Sequence, residues 1–531
     1  MIRRCVFVAG LFFGLGVIGG VSAAAFGAGD TAAKRPNIIF VLADDLGYGD
    51  VACYNPESKV PTPCLDRLAQ EGVRFTDAHA ASNVCTPSRY SVLTGQMDFR
   101  INFPGVFTGV GGPCLIKENQ LTLPQMLRNR GYATAMTGKW HIGLTFLDKD
   151  GKPIVAREGM GIEGLAVEGV KQIDYSRPIP DAPIHRGFDR FFGTAGCPGT
   201  DWLYAFIVGD RIPVQPTKLI DKTHLPKHPY SVDNRDGMIA PDYDLEELDL
   251  IFLKKSQEFI EEQVRNHPDQ PFFLHHCTAA VHLPSFAARE LKGNTKAGPH
   301  GDYIFEFDYV VGELMKTLDH LGIADNTIIM VSSDNGPETL TVMNMRAGCL
   351  HDGAHPWRGF KRDNWEGGHR VPLIVRWPAK IAPGSTTDQT VCLTDVMATC
   401  ADITGAMIPD DAAQDSYSFL PVLLGKDADA AIRPYTLHQS MVLGLAIRKG
   451  PWKFIDHKGS DSNDYKHGPL AVVPECNNAP TAPGQLYNLK TDPGETNNLY
   501  FEHPEIVREL KAQLEKSKAA GRSRPPALPK E

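Results

Sequence analysis

The sequence predicts an α/β protein: one large, mixed but mostly parallel sheet sandwiched by helices, then a smaller C-terminal unit of antiparallel sheet plus one helix. Three observations carry this. Apolar runs over residues 37–42, 271–276 and 327–331 read as strands buried on both faces, as in a parallel sheet. Residues 62–72, 121–131, 245–264 and 303–321 have the apolar spacing of amphipathic helices. Beyond about residue 405 the texture changes to short strand-like segments around tight turns.

At 531 residues the chain exceeds one ordinary domain, and 42% hydrophobic with 22% charged residues is a globular composition. A formal net charge of -9 argues against bulk attraction to nucleic acid. The N-terminus reads as an export signal. Arg3 and Arg4 precede an apolar stretch over 6–21, and Val21-Ser22-Ala23 offers a small-residue cleavage site, with Ala24 and Ala25 as alternatives. An uncleaved anchor is the other reading of that stretch. No later run is long and apolar enough to span a bilayer, so the mature protein is expected in the periplasm or secreted. Setting Cys5 aside, the remaining cysteines are scattered with no close-spaced metal pattern. An oxidising compartment would allow some to pair, and the connectivity is not readable.

The first strand ends in Ala43-Asp44-Asp45-Leu46-Gly47-Tyr48-Gly49-Asp50. Adjacent carboxylates at the C-terminal end of a buried strand sit where open α/β sheets place ligands; a solvated acidic loop is the plainer alternative. A helix follows over 62–72 and a short strand over 73–78. Val84-Cys85-Thr86-Pro87-Ser88-Arg89 then reads as a loop entering a short helix, with Pro87 in the first turn and Gly95 at the far end. Cys85 thus lies at a helix N-terminus beside Arg89, a position that favours an anion and activates a nucleophile. A small buried cysteine at a helix start is the rival reading.

After the helix over 121–131, a strand over 132–136 delivers Thr137-Gly138-Lys139-Trp140-His141-Ile142-Gly143. Lys139 and His141, two apart on an extended segment, would face the same side. Residues 145–183 read as an insertion on the ligand-facing rim. Phe188, Phe191 and Phe192 are core candidates. The segment 196–202 is a candidate pocket wall in which Asp201 either touches substrate or stabilises a turn. The strand over 271–276 leads to Val281-His282-Leu283-Pro284, while His275 and His276 read as packing or solvated. Ser332-Ser333-Asp334-Asn335-Gly336 repeats the logic of the first strand, and two such strand ends can supply one cation site. Residues 351–358 are candidate pocket lining. Arg358-Gly359-Phe360-Lys361 and Glu366-Gly367-Gly368-His369-Arg370-Val371-Pro372 follow, the latter a glycine-permitted turn into a strand. A helix over 393–405, strands over 443–447, 452–455 and 485–489, and a helix over 505–518 complete the chain.

These motifs, in this order, resemble the type I (formylglycine-dependent) sulfatases of the alkaline phosphatase superfamily, in particular arylsulfatases and N-acetylgalactosamine-6-sulfatases. The resemblance runs from Asn37 to about Asn498. It implies an alkaline-phosphatase-like fold and a sulfuric ester hydrolase. It implies that Cys85 is oxidised by a formylglycine-generating or equivalent maturation enzyme to an aldehyde whose hydrate attacks sulfur. One divalent cation, usually calcium, is implied at Asp44, Asp45, Asp334, Asn335 and position 85, a set of hard oxygen donors. Asp334 is implied as base to the nucleophile. By the same resemblance Arg89 and Lys139 stabilise the formylglycine and sulfate. Lys361 and His282 stand on the sulfate-binding and leaving-group side, and His141 is the base that helps expel sulfate. A sulfated carbohydrate is the implied substrate, loosely a 6-sulfated galactose or N-acetylgalactosamine from the region of Asp201, with aryl sulfates as surrogates. A phosphoesterase or phosphonate hydrolase of the same superfamily, or a non-catalytic sulfated-glycan binder, are the alternatives. The expected organisation is a signal peptide over 1–24, a leader over 25–35, a catalytic domain over 36–405, a C-terminal α+β subdomain over 406–520 and a loose tail over 521–531.

Overall fold

A computed structural model describes residues 34–108, 110–154, 166–426, 430–472 and 478–526. The expected signal peptide, nearly all of the leader and Cys476 fall outside the described residues. A nine-stranded mixed sheet forms the centre. Its middle consists of four parallel strands, β1 (Asn37–Ala43), β2 (Ala133–Lys139), β3 (Phe272–Cys277) and β4 (Thr327–Ser333), in the spatial order β4-β1-β3-β2. Antiparallel Leu373–Arg376 flanks β4, and Arg190–Thr194 runs parallel to β2 on the other side.

The continuous apolar runs have the expected cause: both faces of the sheet are covered. On β1, Ile38, Phe40 and Leu42 enter one core while Ile39, Val41 and Ala43 enter the other, as strand alternation requires. Each fully buried side chain of this size contributes about 2 kcal/mol. One face is covered by α1 (Cys85–Thr94), Leu123–Arg128 and Asp395–Thr404. The other is covered by α2 (Leu248–Asn266), α3 (Gly298–His320) and Pro63–Gln70. Every residue of α1 is buried. Gly95 closes it in the left-handed conformation (φ 63°), donating its N–H to Ser91 O, and a Cβ there would press against Ala413.

Because the four middle strands run the same way, their C-terminal ends open on one edge of the sheet. That edge receives Asp44 and Asp45 from β1, Lys139 from β2, the turn to His282 after β3, and Asp334 and Asn335 after β4.

The C-terminal unit is a four-stranded antiparallel sheet, Thr436–Gln439, Leu445–Lys449, Trp452–Ile455 and Gln485–Asn488 in sequential order. Pro504–Ala519 packs Val507, Leu510 and Leu514 on it. The first of these strands was not anticipated, because Thr436-Leu437-His438-Gln439 is short and mostly polar although wholly buried. Part of the expected tail, residues 521–526, is described and makes hydrogen bonds to the segment 412–414. Ser523 N donates to Gln414 O at 3.1 Å, and Arg524 Nη2 to Ala412 O at 2.9 Å. Among the described residues no helix is long and apolar enough to cross a membrane, and the described cysteines are free thiols.

Candidate active site

The shared edge holds a buried cluster of alternating charges. Lys139 Nζ lies 2.6 Å from Asp44 Oδ2, and Lys361 Nζ 2.7 Å from Asp45 Oδ2. Arg89 Nε donates to Asp334 Oδ2 at 2.8 Å, and its Nη1 to Lys139 O at 3.1 Å. Asn335 Nδ2 donates to Asp45 Oδ1 at 2.7 Å. Side chains adjacent on a strand point to opposite faces. Asp45 escapes that rule through a left-handed backbone (φ 64°), so both carboxylates reach the same cluster. Burial pushes the Asp44 carboxyl up, but Lys139, His282, Arg89 and Lys361 together hold it well below the usual carboxylate range. Asp334 is pushed up by burial to about 7, with Arg89 opposing.

His141 and His282 flank Cys197 and have assignable tautomers. His141 Nε2 lies 2.5 Å from Phe107 O, which can only accept, so Nε2 carries the proton and Nδ1 faces Cys197 Sγ at 3.7 Å. His282 Nδ1 donates in the same way to Leu283 O at 2.5 Å. Its Nε2 faces Asp45 Oδ2 at 3.7 Å and Cys197 Sγ at 3.9 Å. With its side chain 13% exposed, His282 is the more open of the two. Lys139 and His141 do meet in the site, but not along an extended segment: β2 ends at Lys139, and His141 turns left-handed (φ 56°).

Cys85 opens α1, with ligand atoms of Asp44 and Asp334 within 4.8 Å of its sulfur and of one another. The expected activation of the free thiol is not found. A hydrogen bond shared with Cys197, then burial, raises Cys85 above its ordinary value, with Lys139 and His141 opposing. Asp201 is buried at the margin of the cluster. Burial pushes it up to about 6 against His141, Arg235, Lys139 and His282. Gly196 leaves room for it, since a Cβ there would fall 2.2 Å from Asp201 Oδ2.

The oxygen set fits a hard cation. Asp44 Oδ1 and Asn335 Oδ1 are buried without a hydrogen-bond partner, a state costly unless a cation is bound. Carboxylate and amide oxygens are what calcium prefers.

Sequence reasoning missed Glu338 and Asp249, and within the segment 196–202 it singled out Asp201 rather than Cys197. Glu338 lies 3.8 Å from Lys361 Nζ. Asp249, on the buried face of α2, accepts the N–H groups of Ala279 and Ala280, each at 2.8 Å. An acid on a mostly apolar helix face was the available signal for it. Conversely, His351 does not line a pocket; it is buried against Asp50 at 2.8 Å and supports the Asp44–Asp50 loop.

The architecture is the alkaline-phosphatase-like α/β fold. A phosphonate monoester hydrolase from Agrobacterium radiobacter shares it, with a TM-score of 0.57 at 16% identity over 92% of this chain and 96% of that one. Within that class the chain belongs to the sulfatase family, whose model matches residues 36–406, and it hydrolyses sulfate esters. It is 35% identical to an N-acetylgalactosamine-6-O-sulfatase from Bacteroides thetaiotaomicron over 91% of this chain and 93% of that protein. It is 32% identical to human arylsulfatase A over 93% and 90%. A solved structure from work on the metabolism of multiple glycosaminoglycans by Bacteroides thetaiotaomicron superposes with a TM-score of 0.74 at 31% identity, covering 92% of this chain and all of that one.

Proposed function

We propose that this sulfatase is exported and releases sulfate from a sulfated carbohydrate, with 6-O-sulfated galactose or N-acetylgalactosamine as the preferred unit and aryl sulfates as surrogates. The observation that carries the reading is Cys85 at the head of buried α1, between the carboxylates of Asp44 and Asp334 and the imidazole of His141. The 35% identical relative named for 6-O-desulfation of N-acetylgalactosamine supports the sugar and the position. Converted to formylglycine by a maturation enzyme, position 85 would supply a hydrated aldehyde as the nucleophile. Calcium held by Asp44, Asp45, Asp334 and Asn335 would supply Lewis-acid stabilisation.

The chain's own residues divide the remaining work. Arg89, Lys139 and Lys361 place positive charge around position 85, where the oxygens of a transferring sulfate gather charge. Asp334, whose carboxylate lies beside position 85, is placed to take a proton from the nucleophile. His282 presents Nε2 on the open side; as the imidazolium, with Nδ1–H held by Leu283 O, it gives its Nε2 proton to the leaving sugar oxygen. His141 presents Nδ1 toward position 85 and accepts the proton lost when sulfate departs. Asp201 is assigned to the sugar side of the pocket.

Two measurements test this. The mass of the tryptic peptide spanning residues 75–89, from protein made in its own host, should show formylglycine at Cys85. Rates on 6-sulfated N-acetylgalactosamine, its 4-sulfated isomer and a matched pair of aryl sulfate and aryl phosphate should favour the 6-sulfate and the sulfate ester. An unmodified thiol in fully active protein would overturn the nucleophile, and preference for the 4-sulfate would overturn the substrate.

A further inference from the structure

Behind the loop that leads to Cys85 lies a second cluster, which the reaction does not use. His79, His369 and His438 are fully buried and bring one ring nitrogen each within 4.8 Å of the others. They come from three places. His79 ends the short strand Ala78–His79, His369 ends the helical turn Glu366–His369, and His438 lies in the first C-terminal strand.

One ring of the three is unsatisfied. His79 Nε2 lies 2.8 Å from Asp77 Oδ1 and 3.1 Å from Arg448 Nη1. His369 Nε2 lies 3.2 Å from Asn364 O and 3.1 Å from Lys453 Nζ, which can only donate, so Nε2 accepts and Nδ1 carries the proton. His369 Nδ1 then donates to His79 Nδ1 at 3.1 Å. Moving that one proton to His369 Nε2, toward Asn364 O, frees both Nδ1 atoms at a separation close to the roughly 3.3 Å between two nitrogens on one tetrahedral zinc with Zn–N bonds of about 2.0–2.1 Å. The third ring, His438, has no hydrogen-bond partner on either nitrogen. It lies flat on His369, with ring centroids 3.8 Å apart, so turning it toward the other two breaks no hydrogen bond.

We propose that His79, His369 and His438 form a structural metal site for zinc or a similar borderline divalent ion, stapling the sulfatase domain to the C-terminal sheet. Neutral imidazoles select zinc over calcium. A carboxylate and a carbonyl behind the ligating histidines are the usual outer partners of such a site. The surrounding charges balance. Asp77 pairs with Arg370 and Arg448, Glu366 with Arg370 and Lys453, and Glu495 with Lys453. The site also bears on the nucleophile loop, because Gln439 O, next to His438, accepts both Asn83 N and Ser82 Oγ at 3.1 Å.

The test uses the full chain, stripped of transition metals and held in saturating calcium. Zinc is titrated into wild type, His438→Phe and His79→Gln, and cobalt is substituted for its spectrum. The expected result is one tight zinc equivalent in wild type, at least tenfold weaker in both variants, with a zinc-dependent rise in Tm that the variants lose. Cobalt should give visible ligand-field bands without thiolate charge transfer, which separates this site from the Cys85–His141–Cys197 group. No tight zinc, equal zinc affinity in all three proteins, or a thiolate-dominated cobalt spectrum would overturn the proposal. Should His79→Gln not fold, the cobalt spectrum of wild type and the zinc affinity of His438→Phe decide it.

Discussion

Lys139 Nζ and Asp44 Oδ2 lie 2.6 Å apart and fully buried, although β2 and β1, which carry them, are separated by β3. The pair closes the cluster across three strands of the sheet. Lys139→Met leaves Asp44 charged in a dry site, and removing one partner of such a pair costs about 3–5 kcal/mol. The variant should lose at least about 100-fold in kcat on an aryl sulfate and show a lower Tm. Near-wild-type kcat would remove Lys139 from the charge-stabilising group.

Asp249 gives a separate prediction, because it holds the backbone rather than any substrate. Its two carboxylate oxygens fix the N–H groups of Ala279 and Ala280, while Ala280 O accepts Asp44 N at 3.0 Å. One side chain therefore positions both the His282 turn and the Asp44 loop. Asp249→Ala removes two hydrogen bonds to a charged acceptor and should cost about 3 kcal/mol in unfolding free energy. Asp249→Asn retains only part of the geometry. It should lower kcat more than it raises KM, and a purely structural role would leave kcat of the folded fraction unchanged.

A pH dependence of stability follows from Asp98. Burial pushes its carboxyl up to about 8, above the value of about 3.9 for an unfolded aspartate. The folded chain therefore binds this proton more tightly than the unfolded chain. The contribution is full below about pH 4 and is lost as pH rises towards about 8. Asp98→Asn keeps the partner Gln439 Nε2, which lies 2.7 Å from Asp98 Oδ2 in wild type. The Tm of the variant minus that of wild type should grow from about pH 5 to about pH 9. A constant difference across that range would show that Asp98 is already charged in the folded state.

Chelation tests the hard-cation site. Removing calcium should leave Asp44 Oδ1 and Asn335 Oδ1 without a partner, lower Tm, and reduce activity at least about tenfold. Calcium should restore both more fully than magnesium, which demands stricter octahedral geometry. Unchanged activity after exhaustive chelation, with the metal content measured, would remove the ion from the reaction.

Much of this site was legible because its residues sit at the ends of strands that must be apolar throughout. Asp44, Asp45, Asp334 and Asn335 announce themselves by contrast with the runs before them, and Lys139 by its place at the end of a predicted strand. What stayed hidden depended on partners distant in sequence. Cys197 matters only because it reaches Cys85, and Asp249 only because its carboxylate meets a turn some 30 residues away. Thr436–Gln439 is a strand only because its neighbour Leu445–Lys449 and the catalytic domain bury it. The thiol of Cys85 also reversed expectation. Its helix N-terminus was readable from local residues, but the hydrogen bond to Cys197 was not.

The complete burial of α1 also constrains timing. Cys85 is 2% exposed and lies beneath a sheet already assembled from distant parts of the chain. A second protein cannot grip this segment once those parts have closed over it, so the oxidation proposed for Cys85 would have to precede closure. The yield of working enzyme would then be a race between modification and folding. In a foreign host, a slower-folding chain would leave more of its molecules converted.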